Sequence, residues 1–155
     1  MKHACSIVVF CALAATAFAA ESKVTLESLP QAVQDGIKRE TGGVPISSIS
    51  KDRERGKVEY EVETTANGKP RSYTFDTKGN LLEQEDAVEL DSVPPAAKVA
   101  LQKKADGGSI QEIEQVTSHG TVLYEAEVTT AAGKKIEVAV TASGDVKTSH
   151  PADKD

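Results

Sequence analysis

The sequence of 155 residues carries 24 acidic and 18 basic side chains, a formal net charge of −6, with two cysteines and no tryptophan. This excess of acid argues against a nucleic-acid partner, because phosphate binding requires a concentrated basic face. The length is sufficient to build a hydrophobic core, so one domain of two parts is the expected size class.

The N-terminal segment has the pattern of an export signal. Lys2 and His3 precede an apolar stretch, which ends in Ala17-Phe18-Ala19, the small-x-small pattern that signal peptidase accepts. The apolar stretch is shorter than the roughly 20 residues that span a bilayer, and no later stretch approaches that length. We therefore expect residues 1–19 to be a removable signal peptide. The mature chain is expected to be periplasmic or secreted, without membrane insertion.

Both cysteines, Cys5 and Cys11, lie in the segment that would be removed. A mature chain without cysteine cannot form a disulfide, a thiolate nucleophile or a zinc–thiolate site. Loss of Lys2 also leaves 17 basic and 24 acidic side chains, a mature net charge of −7. The exported domain must therefore be held together by its core.

The rest of the chain repeats one pattern. "LESLP" at 26–30 returns as "LDSVP" at 90–94, and "GKVEYEVETTANGK" at 56–69 returns as "GTVLYEAEVTTAAGK" at 120–134. Such self-similarity indicates two copies of one supersecondary unit of roughly 60 residues.

Each copy begins with a predicted helix. Ser28 is the predicted N-cap of the first helix, and Pro30 lies in the first turn, where its missing N–H is harmless. Gly-Gly pairs at 42–43 and 107–108 predict the helix ends. Each helix has one apolar stripe for packing, formed by Val33 and Ile37 in the first copy and by Ala97 and Leu101 in the second.

Beyond the helices the hydrophobic period changes to two, which predicts strands with one apolar and one charged face. Asn67-Gly68 predicts a hairpin turn, and "EDAVELD" at 85–91 is interpreted as an acidic connector between the copies. The aromatic residues fall on the apolar face and are predicted core: Tyr60, Tyr73, Phe75 and Tyr124. Each copy is predicted to have four antiparallel strands, through Ile49, Tyr60, Tyr73 and Leu81 or through Ile113, Tyr124, Val138 and Val146.

The predicted fold class is therefore α+β, with two tandem repeats of a helix plus a four-stranded antiparallel sheet and the helices packed on one face. The first repeat is predicted to span residues 20–85 and the second residues 86–149. Residues 150–155 are predicted to form a flexible tail.

The order of these motifs resembles the PepSY-like family. The family's units carry a Tyr-Glu-Val-like strand, a hairpin and an Asp-x-x-Gly turn, and here "VEYEVE", "NGK" and "FDTKGNLLE" follow the Leu-Pro helix and the Gly-Gly pair. The second copy matches this outline, with Thr141 where the family prefers Asp, so that the resemblance covers about residues 26–149. Tandem units of this type are also similar to the secreted β-lactamase inhibitory proteins, in which two helix-plus-sheet repeats form a concave sheet that grips an enzyme.

Carboxylates supply the candidate binding surface. Side chains two residues apart share one face of a strand and lie about 7 Å from each other. The candidate protein-binding face consists of Glu59, Glu61, Glu63, Leu123, Glu125 and Glu127. Two alternatives stay open for it: a solvated face that keeps the sheet soluble, and a weak cation site.

The sequence offers little for catalysis, and we expect the protein not to be an enzyme. The mature chain has only His119 and His150, and His119 is expected in a solvated turn. No catalytic, cofactor-binding or metal-binding residue is predicted, and no cofactor is expected. "DTKGN" at 76–80 predicts a turn, since it lacks the alternating oxygen ligands of a calcium loop.

The leading hypothesis is a non-catalytic exported PepSY-like binding protein, an inhibitor or regulator of a protease or other envelope enzyme. Its partner would be a basic protein, attracted by charge, because the candidate face has no aromatic anchors. The alternative hypothesis is a small-ligand or divalent-cation binding module of the periplasm.

Overall fold

In a computed structural model, the structure describes residues 22–54 and 56–151. The described residues form nine strands and two α-helices, and a one-turn 3-10 helix precedes each α-helix, at Leu26–Ser28 and Leu90–Ser92. In chain order the elements are β1 Ser22–Lys23, α1 Gln31–Thr41, β2 Ile46–Glu54, β3 Lys57–Ala66, β4 Lys69–Asp76, β5 Leu81–Ala87, α2 Pro95–Ala105, β6 Ser109–Ser118, β7 Thr121–Thr129, β8 Lys135–Thr141 and β9 Val146–Pro151.

All nine strands of the described chain lie in one sheet, in the order of the sequence. Each strand pairs antiparallel with the next, so every connection joins neighbouring strands. The pairing of β5 with β6, from Glu83 opposite Ser118 to Ala87 opposite Glu114, joins the strands around α1 to those around α2.

The predicted fold class is wrong. In place of two tandem helix-plus-four-strand repeats, the described residues form a single nine-stranded antiparallel sheet with two helices, which is a mostly β structure. Local sequence patterns do not specify which distant strands pair, and here the β5–β6 pairing merges everything into one sheet.

The predicted domain limits stay predictions, with three structural facts beside them. The sheet continues through the limit at 85/86, since Glu85 pairs with Val116 and Asp86 with Gln115. β9 includes His150 and Pro151, the first two residues of the predicted tail. The predicted signal peptide, residues 1–19, and residues 152–155 lie outside the described residues.

The two helices begin after proline and end in left-handed residues. Pro30 is the N-cap of α1, and Gly42 ends this helix with a φ of 62°. The prediction of Ser28 as N-cap is wrong, because its hydroxyl donates to the carbonyl of Thr25 at 2.7 Å, inside the preceding 3-10 turn. α2 ends at Asp106, whose N–H donates to the carbonyl of Gln102 at 3.2 Å.

Two hydrophobic clusters fill the space between the helices and the sheet. The predicted burial of the four aromatic residues Tyr60, Tyr73, Phe75 and Tyr124 is confirmed. The α1 cluster consists of Leu29, Val33, Ile37, Ile49, Tyr60, Val62, Tyr73 and Phe75. The α2 cluster consists of Val93, Ala97, Leu101, Ala105, Ile113, Tyr124, Ala126, Val128, Ile136, Val138 and Val140.

Polar residues of β5 lie between these clusters on the helix side of the sheet. Gln84 is paired with the core residue Tyr73, and Asp86 with Arg71, so side-chain alternation places Gln84 and Asp86 on that side. The guanidinium of Arg71 forms an ion pair with Asp86, and the Gln84 amide donates to the same carboxylate at 2.7 Å. The β5 strand thus contributes a polar seam between two apolar regions.

The turn between β4 and β5 lies directly on α1. A Cβ atom added to Gly36 would lie 2.3 Å from the carbonyl oxygen of Gly79, far inside van der Waals contact. The Arg39 guanidinium donates to the same carbonyl at 3.1 Å. This approach of backbone to backbone requires glycine in the middle of the helix.

We predict that Gly36→Ala destabilises the protein by about 2 kcal/mol or more, because overpacking exceeds the gain in helix propensity, which is about 1 kcal/mol. The free energy of unfolding from urea denaturation measures this difference. Lys38→Ala, at an exposed position of the same helix, is the control and should change stability by less than about 0.5 kcal/mol. An unchanged or raised urea midpoint for Gly36→Ala would contradict the predicted packing.

Candidate functional site: an acidic sheet face

The face of the sheet opposite the helices carries glutamates from five strands. Side chains alternate along each strand, so the neighbours of buried Tyr60 and Val62 on β3 point away from the helices. Strand pairing extends this face across the sheet, for example from Glu85 to Ser72 and from Glu114 to Glu125. We call this surface the acidic face and define it by Glu59, Glu61, Glu63, Glu83, Glu85, Glu114, Glu125, Glu127 and Glu137.

The six residues of the predicted binding face all lie on this side of the sheet, and all are half-buried. Glu59, Glu61 and Glu63 are on β3, whereas Leu123, Glu125 and Glu127 are on β7. Three strands separate the two groups, which amounts to about 19 Å at the usual strand spacing. They therefore form the two flanks of one surface, with other side chains at its centre.

Glu85 lies at the centre and was missed by the sequence analysis. It is only 6% exposed, and its carboxylate accepts a hydrogen bond from the Ser72 hydroxyl at 2.9 Å. Burial raises the pKa of Glu85 to about 8; the nearby charges of Glu114, Glu83 and Glu61 add to this rise, while the Ser72 hydrogen bond opposes it. Glu85 therefore changes charge near neutral pH.

Glu114 is the second carboxyl with a shifted pKa. It is half-buried on β6 and lies directly opposite Glu125. Burial raises the pKa of Glu114 to about 7, and the charges of Glu112, Glu137 and Glu83 contribute to the rise. Glu112 itself lies in the β6 irregularity, between Gln111 and Ile113, with a left-handed φ of 43°.

The centre of the acidic face is shielded from solvent. Ser72 on β4 and Val116 on β6, which lie on either side of Glu85, are buried. Solvent therefore has little access to the centre of the face. Desolvation at this place is what makes the charged form of a carboxyl costly.

Like charges lie directly opposite each other in two strand pairs. Glu114 faces Glu125 across β6 and β7, and Glu127 faces Glu137 across β7 and β8. Such pairs are destabilising in a sheet. On the β3 flank, by contrast, the Ser48 hydroxyl donates to Glu63 at 2.5 Å. The arrangement concentrates negative potential on one side of the molecule.

The remaining predicted features are turns or stay untested. Asp76 holds the β4–β5 turn, since it accepts from the N–H groups of Lys78 and Asn80 at 2.8 and 2.9 Å and from the Asn80 amide at 2.8 Å. Burial alone would raise the pKa of Asp76, but the bonds from Asn80 and Lys78 outweigh it and lower the pKa. His119 is exposed in the β6–β7 turn, as predicted.

In the corresponding turn between β8 and β9, Thr141 takes the place of Asp76, and its hydroxyl accepts from the N–H of Asp145 at 3.0 Å. Among the side chains that the structure describes, within residues 22–53 and 56–149, no group of three or more His, Cys, Asp or Glu is placed to hold a metal ion. The cation-binding alternative stays a prediction. Over the same ranges, no helix has the length and apolar character needed to cross a membrane.

Comparisons with known proteins identify the fold. No protein-family model and no curated protein sequence matches the chain. Among solved structures, a candidate periplasmic protein from Bacteroides eggerthii has a TM-score of 0.68 and 18% identity, over 79% of this chain and 88% of its own. A DUF2874 family protein from Bacteroides uniformis has a TM-score of 0.66 and 21% identity, over 79% and 88%.

A BLIP-like protein from Bacteroides fragilis has a TM-score of 0.64 and 20% identity, over 82% of this chain and 89% of its own. The chain therefore shares the fold of the BLIP-like and DUF2874 structures. This confirms the β-lactamase-inhibitory-protein part of the resemblance at the level of fold, whereas the PepSY-like part stays a prediction.

Glu85 makes stability depend on pH. Its pKa is about 8 in the folded protein, against an ordinary value of 4.5, so its contribution is fully present below about pH 4.5 and is lost as the pH rises through about 8. We predict that the free energy of unfolding falls by about 2 kcal/mol between about pH 5.5 and about pH 9. Denaturant titrations across this range measure it.

In Glu85→Gln the part of this fall that comes from Glu85 should disappear, because the amide keeps the shape and does not ionise, whereas the part that comes from Glu114 remains. Glu127→Gln, on the flank of the same face, is the matched control and should retain the wild-type pH dependence. A Glu85→Gln curve that still parallels the wild type would show that the carboxyl titrates normally.

Proposed function

We propose that this protein is an exported, non-catalytic binding protein that docks a basic surface of a protein partner on the acidic face. The observation that carries the proposal is the gathering of glutamates from five strands on the side of the sheet opposite the two described helices. A surface of one charge sign steers oppositely charged partners toward it and selects against others.

The fold supports the same proposal. One structural relative is a BLIP-like protein, and another is a candidate periplasmic protein. With identities near 20% these likenesses carry the fold alone, so the periplasmic location and the class of partner belong to the proposal. A protease or another envelope enzyme is the proposed partner, which the protein would inhibit or regulate by covering a basic region.

Charge rather than aromatic anchoring would supply most of the affinity. Tyr60, Tyr73 and Tyr124 point into the core, and the apolar residues on the acidic face are Leu123, Val116 and Ala139. Binding that depends on partly exposed charges is fast and sensitive to salt. The complex should therefore weaken strongly between low and physiological ionic strength.

We predict that the triple charge reversal Glu59→Lys, Glu61→Lys and Glu125→Lys abolishes capture of the partner from an envelope fraction. The three positions lie on both flanks of the acidic face, and each reversal replaces attraction by repulsion. Pull-down with the wild-type and variant proteins, followed by mass spectrometry, measures the loss.

The matched control is Glu27→Lys, Asp35→Lys and Glu89→Lys, which makes the same change in net charge at exposed positions outside the sheet face. It should capture the partner as the wild type does. Circular dichroism should show wild-type melting curves for both variants. Equal capture by the wild type and the acidic-face variant would reject this face as the binding surface.

A further inference from the structure

The acidic face contains two kinds of carboxyl. Those of the flanks are half-buried near the edges of the surface, whereas Glu85 is almost wholly enclosed at its centre and hydrogen-bonded to Ser72. Glu114 lies beside this centre, opposite Ala87 on one neighbouring strand and Glu125 on the other. The centre thus combines low exposure with dense negative charge.

Acidic side chains surround this centre on the same side of the sheet, although its immediate cross-strand neighbours are uncharged. Glu85 is flanked by Glu83 on its own strand, by Ser72 and Thr74 on β4, and by Val116 on β6. Glu114 has Glu112 on its own strand. The charged groups on this side of the surrounding strands include Asp52 of β2, Glu59, Glu61 and Glu63 of β3, Asp76 of β4, Glu125 and Glu127 of β7 and Glu137 of β8, with Lys57 and Lys135 at the strand ends.

These surroundings favour the neutral carboxyl in the free protein. A partner that brings ammonium or guanidinium groups to the face reverses this preference, because an opposite charge within about 4–6 Å favours the ionised form. Binding of the partner therefore favours ionisation of Glu85 and Glu114, and their ionisation favours binding.

We propose that docking on the acidic face is coupled to release of protons from Glu85 and Glu114, so that a basic partner binds more tightly as the pH rises through neutrality. This inference rests on the proposed function of the face. In each event one carboxyl O–H bond breaks, the proton passes to the buffer, and the carboxylate that remains is stabilised by the cation of the partner.

The direction of the pH dependence follows from linkage. Protons are released only while the free protein still holds them, and the pKa values of about 8 for Glu85 and about 7 for Glu114 place that range around neutrality. The affinity should therefore rise between about pH 6 and about pH 8.5 and then level off. Carboxyls with ordinary pKa values near 4.3 would already be ionised at about pH 6. They would make the affinity roughly independent of pH between about pH 6 and about pH 8.5.

A hexa-arginine peptide is a suitable probe, because guanidinium groups stay charged throughout this range. We expect its affinity for the wild-type protein, measured by fluorescence anisotropy at constant ionic strength, to be at least about tenfold higher at about pH 8.5 than at about pH 6. Isothermal titration calorimetry in buffers of different ionisation enthalpy should show net proton release at neutral pH.

Variants assign the effect to particular residues. Glu114→Gln, at a half-buried position that should tolerate an amide, is expected to reduce the number of released protons. Glu85→Gln with Glu114→Gln should make the affinity independent of pH. Glu59→Gln with Glu127→Gln is the matched control: it removes two flank charges, and should weaken binding while keeping its pH dependence.

The outcomes separate this inference from the proposed function. Peptide binding that is equally tight at both pH values, without proton release, overturns the coupling and leaves the docking surface standing. If the peptide binds at neither pH value, both the coupling and the docking surface are overturned. A Glu114→Gln variant with unchanged proton release, or carboxyl carbon NMR signals of Glu85 and Glu114 that titrate near pH 4 in the free protein, would also overturn the coupling.

Discussion

The antiparallel pairing of β5 with β6 is the interaction on which the rest of the structure depends. It makes one sheet of nine strands from the described residues, and it places the outward side chains of both parts on one surface. Because side chains alternate, a register that turns Gln84 and Asp86 toward the helices turns Glu83 and Glu85 toward the other side. The dense negative charge of the acidic face follows directly from that register.

The sheet retains this charge at a cost in stability. Two pairs of glutamates lie directly opposite each other, and a buried carboxyl occupies the middle of the surface. Substitution of Glu85 by threonine or valine would relieve the desolvation of its carboxyl. A cluster of residues that share one charge sign and lower the stability of the fold is typical of a binding surface. The cluster therefore supports a role in recognition.

Several parts of this arrangement could be predicted from the sequence. The alternation of Val58, Tyr60 and Val62 with glutamates fixed which side chains enter the core, and burial of Tyr60 and Tyr124 agrees with it. The same alternation placed the glutamates of β3 and β7 on a shared side. Period-two patterns predict this well because they depend only on local geometry.

Other parts could not be predicted, for physical reasons. Pairing between distant strands depends on register and packing across the whole sheet, which is why the predicted fold class was wrong. β5 has polar residues toward both sides, and a register shift beside Phe75 and Leu81 interrupts its alternation. The sequence therefore predicted only a short strand through Leu81 and a connector from residue 85, whereas β5 runs on to Ala87. The spacing of Glu83 and Glu85 by two residues was the signal that could have extended the predicted strand. The raised pKa of Glu85 depends on neighbours from other strands.

The polar seam of Gln84 and Asp86 also affects how the molecule unfolds. Each hydrophobic cluster is covered by its own helix. The two clusters are joined through the backbone hydrogen bonds between β5 and β6 more than through shared apolar packing. Cooperative units of a fold tend to follow such contiguous packing. Heat or pulling force should therefore unfold one end of the sheet while the other end persists. The two parts should separate between β5 and β6.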